Sequence, residues 1–138
     1  MTTARDAMTV NVEWLRPHDT VTQAAEAMTR SGVGALPICD NQGRLRGFIT
    51  DRDIVVKILG AGRPPATTRV DALMDGPVVA IAADDDVSDA MFTMITCRVR
   101  RLPVVEGGMV IGIVSYADLA RALPHPQTGD LVEALSTD

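Results

Sequence analysis

Aromatic side chains are scarce in this chain of 138 residues: one Trp, one Tyr and two Phe amount to 3% of it. The hydrophobic fraction is nevertheless 46%, so the interior must be built from Ala, Val, Leu, Ile and seven Met. Such a core is smooth and adaptable, and the length suits one compact domain or two small subdomains sharing a core. Lysine is nearly missing too, one against twelve Arg, and Asp plus Glu outnumber Lys plus Arg by 18 to 13 for a net charge of −5. A broad nucleic-acid binder carries a basic stripe instead, so that class is excluded and the acid excess is read as serving solubility.

No run approaches 18 consecutive apolar residues, and the opening MTTARDAM lacks the basic and then apolar regions of a signal peptide. A soluble cytoplasmic protein without membrane contact is expected. Cysteine is limited to Cys39 and Cys97, too far apart for a disulfide framework or a zinc-binding pair, and both are expected as buried thiols. His18 and His125 have no His or Cys at metal-ligand spacing and read as loop histidines, so no metal is expected. The acidic run at 84–86 reads as a helix start favoured by the helix dipole.

What the chain does have is a repeat. Setting DTVTQAAEAMTRSGVGALPIC (19–39) over DDVSDAMFTMITCRVRRLPVV (85–105) gives seven identities in 21 positions, among them Asp19/Asp85, Met28/Met94, Leu36/Leu102 and Pro37/Pro103. Chance gives about one or two at average residue usage. Further on the offset falls from 66 to 65, pairing GFITDRDIV with GIVSYADLA through Gly47/Gly112, Thr50/Ser115 and Asp53/Asp118. The lost residue lies where DNQG (40–43) is answered by the shorter EGG (106–108), a hairpin loop that tolerates the change.

Each copy reads the same way. Thr20 with Gln23 forms a capping-box pattern at the start of a helix, and Asp86 takes the equivalent place. Val21, Ala24, Ala25 and Met28, repeated by Val87, Ala90, Met91 and Met94, supply one apolar helical face. Gly32 suits a left-handed helix end, whereas Arg98 is expected to avoid that conformation and lean on the helix dipole. A Pro-containing strand follows, placed at an edge or a bulge by its proline, then the hairpin, a second strand, and a helix from Asp51 or Tyr116. Short apolar stretches, VNVEWL (10–15) and VVAIA (78–82), precede the units, with Met8 and Met74 ahead of them at matching positions. The expected fold class is therefore α+β, two β-α-β-β-α repeats (1–65 and 66–124) packed about a pseudo-twofold axis, and a C-terminal tail (125–138). GAGRPPATT (60–68) reads as the connection between the repeats. Leu131, Val132 and Leu135 would give a tail helix one apolar side.

Thr50 and Ser115 stand directly after Gly-containing apolar strands, each with an Asp three residues on. They suit plain helix capping. They also suit a nucleotide: N–H groups and a hydroxyl attract phosphate, and a carboxylate accepts two hydrogen bonds from a ribose diol. At this point the chain resembles a pair of CBS domains, a Bateman module, over roughly residues 5–123. The carriers are the duplicated strands ALPI and RLPV and the duplicated junctions GFITDRD and GIVSYAD. More narrowly, it is similar to the standalone CBS-pair proteins of actinobacteria. The cysteine bridge to the Cys39 region proposed in that group has no counterpart here, because NVEWLRP contains no Cys.

The resemblance implies a non-enzymatic regulatory module with two clefts between the repeats for an adenosine-containing ligand such as AMP, ADP, ATP or S-adenosylmethionine. Thr50 and Ser115 would contact phosphate or ribose oxygens, and Asp53 and Asp118 would hold the ribose hydroxyls. Adenine would lie near Val10, Val12, Leu36, Pro37 and Ile38 in one copy, and near Val78, Val79, Leu102, Pro103 and Val104 in the other. Arg98, Arg100 and Arg101 would pair with phosphate or remain solvated, while Asp51 beside Thr50 repels an anion unless Arg52 compensates. The copy with Ser115 and Asp118 is thus expected to bind the charged nucleotide. A homodimer with an unknown protein partner is expected, and the rival reading is a ligand-free dimeric scaffold. No nucleophile, base and orienting group, Gly-rich phosphate loop or metal set suggests an enzyme.

Overall fold

The computed structural model describes residues 1–123 and, beyond them, Gly129, Glu133 and Ala134. The expected tail helix with Leu131, Val132 and Leu135 lies outside the described residues.

Helix α1 (Ala4–Ala7) is one turn that the repeat pattern did not foresee, although Thr3 and Asp6 carry a capping box of their own. Helix α2 (Val21–Ser31) starts at Thr20, whose hydroxyl accepts from the Gln23 N–H while Gln23 reaches back to the Thr20 N–H. Its buried residues Val21, Ala24, Ala27 and Met28 form the helical stripe, and Gly32 closes it at φ 67°. Strands β1 (Ala35–Cys39) and β2 (Leu45–Thr50) pair antiparallel, with a register shift between Ile38 and Cys39 just past Pro37. The hairpin turn is held by Asp40, whose carboxylate accepts from the N–H groups of Gln42 and Arg44.

The helix expected from Asp51 begins as α3 (Asp51–Asp53) and continues as a π-helical stretch, Ile54–Leu59, with the Gly60 N–H donating to the Val55 carbonyl at 2.7 Å. Ile54 and Ile58 turn inward, while Val55, Val56 and Leu59 are left exposed. A 3₁₀ turn at Val70–Leu73 follows the Pro-rich connection.

In the second repeat, strand β3 (Ile81–Ala82) pairs parallel with β4 (Arg101–Glu106), which neighbours β5 (Met109–Ser115). Helix α4 (Val87–Cys97) is capped by Asp86 through the Ser88 N–H, and α5 (Tyr116–Ala122) follows β5. The chain is thus the expected α+β pair of repeats, although the leading strand of the first copy shrinks to a single parallel bridge between Leu15 and Ile38. Asn11, at φ 59°, interrupts VNVEWL as an extended segment.

Two further expectations are corrected. Arg98 does adopt the left-handed conformation, φ 55° and ψ 46°, because the α4–β4 connection has the same length and path as α2–β1. For a residue with a Cβ this costs about 1 kcal/mol or more relative to the right-handed region. Cys97 is exposed at the end of α4, whereas Cys39 is buried, and burial followed by the charge of Asp40 pushes its thiol up to about 11.

Two compact units emerge, and they divide the chain elsewhere than at residue 65. One joins Met1–Val12 to Val79–Gly107 and the segment beginning at Ile111; the other comprises Glu13–Val78 and Gly108–Val110. Each repeat is therefore completed by the segment that leads into the other. In the second-repeat unit, Ala4 is fully buried among Val87, Ala90, Met94 and Leu119, and Thr9 pairs with Ile113. The Ala4 N–H donates to the Asp85 carbonyl at 2.8 Å. In the first-repeat unit, Val70 is fully buried beside Val21, Leu36 and Ile58, and its N–H donates to the Asp19 carbonyl at 2.7 Å.

The same methionine contact anchors both segments. Met8 lies over Gly112 so closely that a Cβ there would stand 2.6 Å from its sulfur; Met74 lies likewise over Gly47, at 2.8 Å. Matching methionines thus fill the space that two matching glycines leave open.

Candidate functional site: the twin strand–helix junctions

Each junction places a hydroxyl at the end of a strand and an Asp in the first helical turn. At the first, the Thr50 hydroxyl accepts from the Asp53 N–H at 3.1 Å, and Asp53 Oδ2 accepts from the Thr50 N–H at 2.9 Å. At the second, Ser115 and Asp118 repeat the arrangement at 3.1 and 2.8 Å. Both are complete capping boxes, so the plain capping role is real.

Capping does not exhaust these groups. Each hydroxyl oxygen accepts, but its hydrogen has no acceptor among the described residues and remains a donor. Each carboxylate commits Oδ2 to the backbone and holds Oδ1 outward, where Lys57 Nζ stands 3.3 Å from that of Asp53 and Arg121 pairs with that of Asp118. Lys57 and Arg121 were missed in the sequence, although spacings of four and three residues on a helix were a legible signal. Side-chain exposure is 24% for Asp53 and 11% for Asp118, which leaves both within reach of solvent.

The first junction differs in its second N–H: the Arg52 N–H donates to Asp51 Oδ1 at 2.9 Å, so a carboxylate already covers that donor. Tyr116 holds the corresponding place in the second junction and brings no such charge.

The expected adenine contacts divide sharply. Leu36, Ile38, Leu102 and Val104 are fully buried core residues, and Pro37 and Pro103 are buried in the same strands. Val10 and Val79 are exposed, and Val12 and Val78 are half-buried. Exchange of the lead-in segments puts Val10 and Val12 in the unit of Ser115 and Asp118, and Val78 in that of Thr50 and Asp53. Arg101 opens β4, partly exposed.

Two stretches, residues 4–60 and 70–125, match the CBS domain model. The chain belongs to the CBS-domain family. Hypoxic response protein 1 of Mycobacterium tuberculosis is 40% identical over 135 residues, covering 98% of this chain and 94% of that protein. A crystal structure of Hypoxic Response Protein I with two coordinated zinc ions superposes with a TM-score of 0.82 at 41% identity, over 89% of this chain and 100% of that one. CBSX2 in complex with AMP gives a TM-score of 0.75 at 26% identity, over 88% of this chain and 96% of that one.

Among the described residues no group of three or more His, Cys, Asp or Glu is placed to hold a metal ion. His18 is exposed beside Asp19 alone, at 3.9 Å. No helix among the described residues is long and apolar enough to cross a membrane.

Proposed function

We propose that this CBS pair is a non-enzymatic sensor that binds an adenosine-containing ligand, AMP, ADP, ATP or S-adenosylmethionine, at its strand–helix junctions. Binding changes its conformation or its association with a protein partner, and it works as a cytoplasmic homodimer. The observation that carries this reading is the doubled junction, in which a hydroxyl donor and an outward carboxylate oxygen, the latter paired with Lys57 or Arg121, stand one helical turn apart. The AMP complex of a structural relative supports the ligand class. A ligand shifts such an equilibrium only by its differential affinity for the two states.

One observation favours the rival scaffold reading: both capping boxes are satisfied by the chain's own groups. Thermal unfolding against AMP, ADP, ATP, NAD, S-adenosylmethionine and GTP separates the two. A ligand at a hundredfold excess over its Kd adds about 2.7 kcal/mol, or several degrees. An adenosyl-specific rise that disappears in Asp53→Asn or Asp118→Asn supports sensing, since Asn keeps the capping oxygen and loses the charge. A flat response to every ligand leaves the scaffold.

A further inference from the structure

We propose that Lys57 and Arg121 govern the affinity of the two junctions for a ribose diol: each holds the outward carboxylate oxygen that the diol would take, so a nucleoside must displace a cation in order to bind. The inference rests on the nucleotide reading of the junctions.

The two pairs reach the same atom by different routes. Asp53 and Asp118 each commit Oδ2 to the N–H of the capping residue, Thr50 or Ser115. Oδ1 is then the oxygen left for a ligand, and it is the one each cation occupies: Lys57 Nζ stands 3.3 Å from that of Asp53, four residues on, and Arg121 donates to that of Asp118, three residues on. Duplication does not account for this. At the offset of 65 that aligns the junctions, Lys57 answers to Ala122 and Arg121 to Val56. The helices differ as well, since Lys57 lies on the π-helical stretch and Arg121 on α5. Two copies that share neither the position nor the helix type have arrived at one contact, and one of them spends on it the single lysine of the chain.

A pair of this kind competes with a diol. A diol hydroxyl donates to a carboxylate as an ammonium or guanidinium does, but the cation makes the stronger, charge-assisted bond. A ribose that takes Oδ1 therefore gives up part of its gain to opening the pair. Both cations are exposed, so each has water to swing into when it is displaced. The Arg121 pair is the closer of the two and its carboxylate the less exposed, which shields it better from water and salt.

The test measures adenosine binding to the full chain by calorimetry at low and high salt, together with Tm. Adenosine carries no charge, so its affinity reports on the carboxylate without a contribution from phosphate. Lys57→Gln is compared in a chain whose second carboxylate is removed by Asp118→Asn, and Arg121→Gln in a chain carrying Asp53→Asn, so that one junction reports at a time. Each glutamine should tighten adenosine by about two- to fivefold, the range that a partly exposed ion pair covers, with the larger gain at Arg121. Tm should move by no more than about 2 °C. With the cation in place, adenosine should bind more tightly as salt rises and screens the pair, and in the glutamine variants that dependence should vanish. A pair with a structural role alone would move Tm and leave both Kd and its salt dependence unchanged, and that result overturns the inference, as does weaker binding in the glutamine variants. In either case adenosine still binds and the nucleotide reading stands. If adenosine binds to no chain, parent or variant, the nucleotide reading fails and the inference with it.

Discussion

Gly47 and Gly112 are alike in sequence and unlike in what surrounds them. A Cβ at Gly47 would press only on side chains, Met74 at 2.7 Å and Ile38 at 3.3 Å, and methionine can swing away. At Gly112 it would also stand 2.7 Å from the backbone carbonyl oxygen of Thr9, which the pairing with Ile113 holds in place. Gly112→Ala should therefore cost about 1–3 kcal/mol and Gly47→Ala distinctly less, read from urea midpoints. Equal losses would mean that the Thr9 segment yields as easily as a side chain. The sequence displayed both glycines and both methionines at matching positions. It did not say that each methionine sits on the glycine of the other copy, because spacing along a chain carries no information about which distant strand a segment joins.

Helix starts were the most legible elements. Thr20, Asp86, Thr50 and Ser115 all cap as their residue types require, because capping is decided within four residues. The π-helical stretch after Asp53 was not legible, since IVVKIL has nothing that separates it from an ordinary helix. Acid should loosen the caps and turns first. The Asp86 carboxyl is held below its ordinary 3.8 by the hydroxyl and N–H of Ser88, and Asp40 by the N–H groups of Arg44 and Gln42. A carboxyl whose folded pKa is depressed contributes stability above its unfolded value and loses it as pH falls through the folded one. Stability from these groups should hold from neutral pH to about 4 and decline below that. Asp86→Ala should lower the plateau and flatten the decline. An acid limb unchanged in Asp86→Ala would show that this cap does not titrate with folding.

At the scale of the whole molecule, the repeat predicted the fold, and each compact unit adds to one repeat the segment that leads into the other. Ala4 and Val70 lie outside the conserved-looking blocks of the internal alignment, yet each is fully buried in the core of the repeat it does not lead. Burying a carboxylate at either place is costly. Ala4→Asp should therefore reduce hydrogen-exchange protection most in α4, β4 and β5, and Val70→Asp most in α2, β1 and β2. Loss centred on the repeat that each residue precedes in sequence would contradict the exchange of segments.

That exchange also sets an order of events during synthesis. Residues 13–78 are made in one stretch, so the first-repeat unit has nearly all its parts as soon as Met74 can reach Gly47. Residues 4–9 have the longest wait. Ala4, Met8 and Thr9 find their partners only when Met94, Gly112 and Ile113 have emerged, about 100 residues later, or roughly 5–20 s at ordinary elongation rates. Throughout that interval residues 4–9 lack the core they pack into, and the last of their partners to appear belong to the strand and helix that carry Ser115 and Asp118.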